Sequence, residues 1–156
     1  MKNKDLIKKY GLTEEDKEKL LEEIKNWQYD GFVKNIYLDP YFENINENSS
    51  ELRGPGGCKG FAALNKNKLA GLFEYYFKGN IIEIGLALNP DLVGKGYGKD
   101  FVEQGISFGI EHFNYREEYI KLNVNIKNRA AVRVYKKAGF KEYKRESDSI
   151  EMRIYI

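Results

Sequence analysis

Three glycines at alternate positions, Gly94, Gly96 and Gly98, with Lys95 and Lys99 interleaved, stand in the segment Pro90-Asp91-Leu92-Val93-Gly94-Lys95-Gly96-Tyr97-Gly98-Lys99. Glycines spaced this way let the backbone approach a ligand and turn several N–H groups in one direction. The segment lies between a predicted strand and a predicted helix, so the partial positive charge of a helix N-terminus stands behind it. With the two lysines, that meets the physical requirement for holding a diphosphate. A tight strand-to-helix turn with no ligand accounts for the same glycines.

Spacing excludes two other phosphate loops. A Walker loop needs four residues between its first glycine and the Gly-Lys pair, then Ser or Thr for magnesium. Here Gly94 and Gly98 enclose three residues, and Asp100 follows Lys99. A dinucleotide fingerprint requires glycine or alanine where Lys99 stands, and it opens a parallel βαβ unit.

A second chemical segment lies one strand and one helix downstream. It runs Leu122-Asn123-Val124-Asn125, then Asn128-Arg129-Ala130-Ala131, Val134-Tyr135 and Ala138-Gly139-Phe140. At 3.6 residues per turn, Asn128, Ala131 and Tyr135 share one face of a helix. An amide, a small residue and a phenol in one stripe suit a ligand running along the helix. A half-buried aromatic with its hydroxyl in water is the plainer reading of Tyr135.

Together the two segments resemble the GNAT N-acetyltransferase superfamily. Its coenzyme A motif, Gln/Arg-x-x-Gly-x-Gly/Ala, is matched by Val93-Gly94-Lys95-Gly96-Tyr97-Gly98. The family's Asn-x-x-Ala-x-x-x-Tyr-x-x-x-Gly-Phe pattern is matched by Asn128, Ala131, Tyr135, Gly139 and Phe140. The resemblance is strong over about residues 81–143 and fades before Cys58. Val93 departs from it, standing where the family carries Gln or Arg, which puts any side-chain contact from that position in doubt.

The resemblance implies an α/β (α+β) fold with a mixed, mostly antiparallel sheet of six to seven strands flanked by about four helices. It implies acetyl-CoA as co-substrate, no metal, and direct attack by a primary amine of a small molecule or peptide. The implied cofactor-binding residues are Leu86, Leu88, Val93, Gly94, Lys95, Gly96, Tyr97, Gly98, Lys99, Asn128 and Ala131. Backbone groups around Leu86–Leu88 would hold the acetyl carbonyl, and Tyr135 would protonate the departing thiolate. A lysine-like amine has a reference pKa near 10.4, so a base must free its lone pair. Glu83, on the strand before the loop, is the first candidate base, directly or through water, and Glu74 is the second. Glu83 also reads as an ordinary exposed strand carboxylate. The alternative function is a non-catalytic acyl-CoA-binding or sensing module on the same fold.

The remaining elements follow from periodicity. Leu20, Leu21, Ile24 and Trp27 recur at helical spacing, which predicts a helix over 14–27 with Thr13 and Asp16 at its start. Residues 28–57 carry aromatics without a clean period, and Asn44–Gly57 reads as a surface loop. Short apolar runs at 59–64, 68–77 and 81–88 predict an antiparallel meander, followed by a helix over about 97–113. Gly105 and Gly109, four apart, let that helix lie close to a sheet. A strand at 119–125, a helix from Asn128 to Ala138 stopped by Gly139, and strands at about 141–146 and 149–155 complete the order.

Composition bounds the rest. The 156 residues are 42% hydrophobic and 14% aromatic and fit one domain, with a cofactor-binding core at about 81–143 and acceptor-side elements at about 1–57. The 26 basic and 24 acidic residues are interspersed, for a net charge of +2, with no basic stripe for nucleic acid. One cysteine, Cys58, and one histidine, His112, exclude a disulfide framework and leave a zinc site poorly supplied. Cys58 is read as a bystander and His112 as surface or half-buried. With no signal peptide and no long apolar run, a cytoplasmic protein without membrane partner is expected, as monomer or homodimer. Trp27, Tyr29, Tyr37 and Tyr41 are candidates to wall the acceptor pocket or to join the core.

Overall fold

The computed structural model describes residues 14–29, 36–45, 52–66 and 68–156. Its elements are α1 (Glu14–Lys25), α2 (Asp39–Glu43), β1 (Leu52–Arg53), β2 (Lys59–Asn65), β3 (Lys68–Lys78), β4 (Ile81–Leu88), α3 (Gly98–His112), β5 (Tyr119–Asn125), α4 (Arg129–Ala138), β6 (Lys141–Glu146) and β7 (Ser149–Tyr155). The strands form one seven-stranded sheet in the order β1-β2-β3-β4-β5-β7-β6. Every neighbouring pair is antiparallel except β4 and β5, which run parallel. Among the described residues, the expected mixed, mostly antiparallel sheet with four α-helices is therefore what forms.

Local chemistry explains the boundaries. Gly79 turns the β3–β4 hairpin at a φ of 62°, a left-handed value that favours glycine. The Asn128 side chain caps α4, and Gly139 ends it at a φ of 109°. One region departs from expectation. The aromatic stretch contains the five-residue helix α2, too short to show a period. The predicted loop 44–57 contains strand β1 and a 3-10 turn at Pro55–Gly57. The proposed cap Thr13 and the aromatic Phe32 fall outside the described residues.

Each sheet face carries its own core. Phe61, Phe73, Tyr75, Ile82, Ile84, Ile120, Leu122 and Met152 turn to one side, where Phe101, Val102, Ile106 and Phe108 of α3 pack on them. Leu52, Ala62, Leu72 and Ala87 turn to the other and meet Leu21, Ile24, Leu38 and Tyr41 from α1 and α2. The two α3 glycines set the closeness of the first contact. A Cβ at Gly105 would stand 2.8 Å from the Phe73 ring, and one at Gly109 would stand 2.6 Å from Tyr75. His112 is exposed, yet its ring stacks on Phe108 at 5.0 Å.

Candidate active site

The parallel pair β4–β5 is joined at one end only. The Tyr115 hydroxyl accepts the Ile82 N–H at 3.1 Å and donates to the Tyr119 carbonyl at 2.5 Å. Glu83 faces Lys121 as the one register pair between the two strands among the described residues. The Asn123 amide then donates to Glu83 Oε1 at 2.9 Å. Beyond that point β4 continues along β3 as far as Leu88 opposite Gly71, and β5 continues along β7 as far as Asn125 opposite Ser149. The sheet thus forks between β4 and β5.

Backbone alternation decides what faces the fork. The Asn89 N–H bonds the Ala70 carbonyl at 2.8 Å, so alternate residues of β4 direct their amides and carbonyls toward β3. Leu86 and Leu88 fall in the other set and direct theirs to the fork. The Leu88 carbonyl accepts the Tyr29 hydroxyl at 2.6 Å, which ties the segment after α1 to the end of β4.

The glycine loop leads from β4 to α3. Gly94 and Gly96 adopt φ values of 76° and 83°, and among the described residues no heavy atom lies within 4 Å of where a Cβ on either would stand. Their left-handed backbone and open surroundings fit a ligand cradled by main-chain N–H groups. The third glycine does something else. A Cβ at Gly98 would stand 3.0 Å from both methyls of Val134, so Gly98 lets α3 begin against α4. Tyr97 precedes α3 without a side-chain cap. Val93 is 47% exposed, Lys95 is exposed, and Lys99 lies 3.6 Å from Glu103 on the helix surface.

On α4, Asn128 Oδ1 accepts the Ala131 N–H at 3.3 Å, so its side chain is engaged by its own helix. Ala131 and Tyr135 pack against the first core. The Tyr135 ring stands edge-on to Phe140 at 5.9 Å, and burial pushes its hydroxyl pKa up to about 12. A phenol so shifted stays protonated across the neutral range, as a proton donor requires.

Sequence reasoning placed Glu83 but not its partner Asn123, whose spacing in β5 carries no sign of a contact across a fork. Glu74 stands on the same sheet face and receives hydrogen bonds from Tyr41 and Cys58, so Cys58 is a buried donor. Tyr41 is core and lines no open surface. Trp27, Tyr29 and Tyr37 border a cavity of about 530 Å³ between the end of α1 and α2. Among the described residues no group of three or more His, Cys, Asp or Glu is arranged to hold a metal ion, and no helix is long and apolar enough to cross a membrane.

Comparison with known proteins supplies an independent line. The profile described as "Acetyltransferase (GNAT) family" matches residues 21–140. No curated protein gives a match. Among solved structures, the Campylobacter jejuni N-acetyltransferase PseH is similar with a TM-score of 0.64 at 19% identity, over 96% of this chain and 98% of that one. A chimera of the Vibrio cholerae spermidine N-acetyltransferase SpeG with hSSAT gives 0.64 at 19% identity, over 96% and 95%. PseH in complex with acetyl coenzyme A gives 0.56 at 20% identity, over 65% and 70%. At these identities the structures show a shared fold.

Proposed function

This chain belongs to the acetyltransferase (GNAT) family, and from that premise we propose that it moves an acetyl group from acetyl-CoA to a primary amine. The observation that carries the reading is the fork between β4 and β5, opening beside a glycine loop whose Gly94 and Gly96 have open space around them among the described residues. The similar structures include an N-acetyltransferase in complex with acetyl coenzyme A, which supports the choice of co-substrate.

In this reading the N–H groups around Gly94 and Gly96 hold the pyrophosphate, and the helix N-terminus behind them adds favourable field. Acetyl-CoA supplies the activated thioester. Backbone groups of Leu86 and Leu88 line the slot. Glu83, steadied by Asn123, takes one proton from the acceptor's ammonium and frees the lone pair that then bonds the acetyl carbon. Tyr135 donates to the sulfur as the carbon–sulfur bond breaks and is reprotonated by the second proton the nitrogen loses, so no covalent enzyme intermediate is required.

The deciding experiment is a panel of primary amines with acetyl-CoA, followed by release of free thiol. Amine-dependent release establishes the transferase. Binding without release from any amine leaves the acyl-CoA-sensing alternative. Acetyl-CoA at a hundred times its Kd is expected to add about 2.7 kcal/mol to stability, read as a rise in Tm. Gly96→Val, which places a β-branched residue at a φ of 83°, should abolish that rise. A retained rise would remove the loop from the cofactor site.

Asn123→Ala is expected to lower kcat about tenfold with little change in the KM for acetyl-CoA, and to add nothing in a Glu83→Gln background. Additive losses would show that Asn123 acts elsewhere.

A further inference from the structure

We propose that Glu74, aimed by Tyr41 and floored by Gly85, is the specificity-determining residue that reads the acceptor's charge. It selects amines that carry a second positive group and rejects those that carry an anionic one. The inference rests on the transferase reading and narrows its acceptor class.

Glu74 on β3 stands opposite Gly85 on β4, two residues beyond the Glu83–Lys121 pair that marks the end of the join with β5. A Cβ at Gly85 would lie 3.1 Å from Glu74 Oε1 and 3.3 Å from Glu74 Cβ, so the carboxyl lies folded across the β4 backbone. Glycine leaves that path clear, and any Cβ there would press the carboxyl aside by a few tenths of an ångström. The other oxygen is held from behind, because the Tyr41 hydroxyl donates to Oε2 and the Cys58 thiol approaches it at 3.8 Å. Tyr41 itself is 1% exposed. A Cβ at Gly54 would stand 2.3 Å from its ring, and one at Gly60 would stand 2.9 Å away. Three glycines thus make room for one tyrosine–carboxylate pair, with Oε1 left over the strand that borders the fork.

The charges around it favour a cation. Tyr76, on the same strand face, has its hydroxyl pKa raised by burial and by the carboxylates of Glu74 and Glu83, so it stays neutral between them. Among the described residues no basic side chain forms an ion pair with Glu74. Lys121 lies opposite Glu83. Arg153 is bound to Glu151 at 2.8 Å and lies over the Tyr119 and Tyr143 rings at 4.1 and 3.3 Å. Diagonal neighbours across a strand pair are about 7–8 Å apart, the relation of Glu74 to Glu83. An amine deprotonated at Glu83 therefore presents a nearby substituent to Glu74. A cationic substituent forms a charge-assisted hydrogen bond there, whereas a carboxylate meets like charge.

Three acceptors built on the same four-carbon chain test this: 1,4-diaminobutane, butylamine and 4-aminobutanoate. The wild type should favour the diamine over the amino acid by about a hundredfold in kcat/KM, with butylamine between them. Glu74→Gln should compress that range to about threefold while the Tm rise with acetyl-CoA is unchanged. Gly85→Ala, at a backbone angle open to any residue, presses on the carboxylate without removing it and should raise the KM for the diamine about tenfold. Equal use of the three acceptors by the wild type, or a preference that survives both variants, overturns the proposal. If no amine is acetylated, the transferase reading fails, and calorimetric titration of 1,4-diaminobutane then decides the seat. Binding by wild type but not by Glu74→Gln sustains it, and absent or equal binding overturns it.

Discussion

Tyr135→Phe is expected to lower kcat by about a hundredfold or more, while acetyl-CoA still raises Tm to nearly the wild-type extent. The substitution keeps the ring that packs on the first core and stands edge-on to Phe140, so stability should change little. It removes only the hydroxyl. Because burial holds that hydroxyl pKa near a value of about 12, the donor form persists well above the ordinary tyrosine pKa of about 10. Raising pH toward about 10 should not unload Tyr135, so it contributes no falling alkaline limb to the wild-type kcat profile in that range. The measurement is steady-state thiol release across the accepted amines, paired with thermal shifts. Unchanged turnover in the phenylalanine variant would remove Tyr135 as the acid and leave it a packing residue of α4.

Phe73→Ala should cost about 3–5 kcal/mol of stability, the range for deleting a large buried aromatic. Phe73 has 0% exposure and stacks on Phe101 at 4.5 Å with an interplanar angle of 28°. Gly105 of α3 approaches so closely that its own Cβ would stand 2.8 Å from the Phe73 ring. That side chain therefore joins the middle of the sheet to the helix beginning behind the glycine loop, and the surroundings have little freedom to collapse into the gap. Denaturant unfolding gives the change in midpoint. Loss of the aromatic should also weaken acetyl-CoA binding, since Phe101 lies in the first turn of α3. A stability change under about 1 kcal/mol would show that α3 repacks and that the close approach does not hold the helix in place.

Much of the fold was legible in the residue order because the signals were local. The runs forming β2, β3 and β4 are short, apolar and separated by turn residues, and the strand at 119–125 and the pair at 141–146 and 149–155 have the extents expected. Asn128 and Gly139 marked the ends of α4 because caps act within one helical turn. Where no local signal existed, reading failed. The helix α2 is five residues long, and β1 is two; both are too short for a repeating pattern, and β1 takes its place only by pairing with β2.

The site divides along the same line. Residue type and spacing alone determined a glycine loop suited to a diphosphate, a phenol on a helix face beside it, and candidate carboxylates on the strands before it. Only the tertiary structure decided which of these lie near one another. It showed that Gly98 serves the contact of α3 with Val134, while Gly94 and Gly96 keep the loop open. It showed that Asn128 spends its side chain on its own helix, and that Asn123 reaches Glu83 where β4 and β5 part. It also turned Glu74 from one strand carboxylate among several into a group folded over Gly85 by Tyr41. The reason is geometric. Backbone conformation and capping depend on a few neighbouring residues, whereas a fork in a sheet, and the carboxylates around it, exist only once strands distant in sequence are laid side by side.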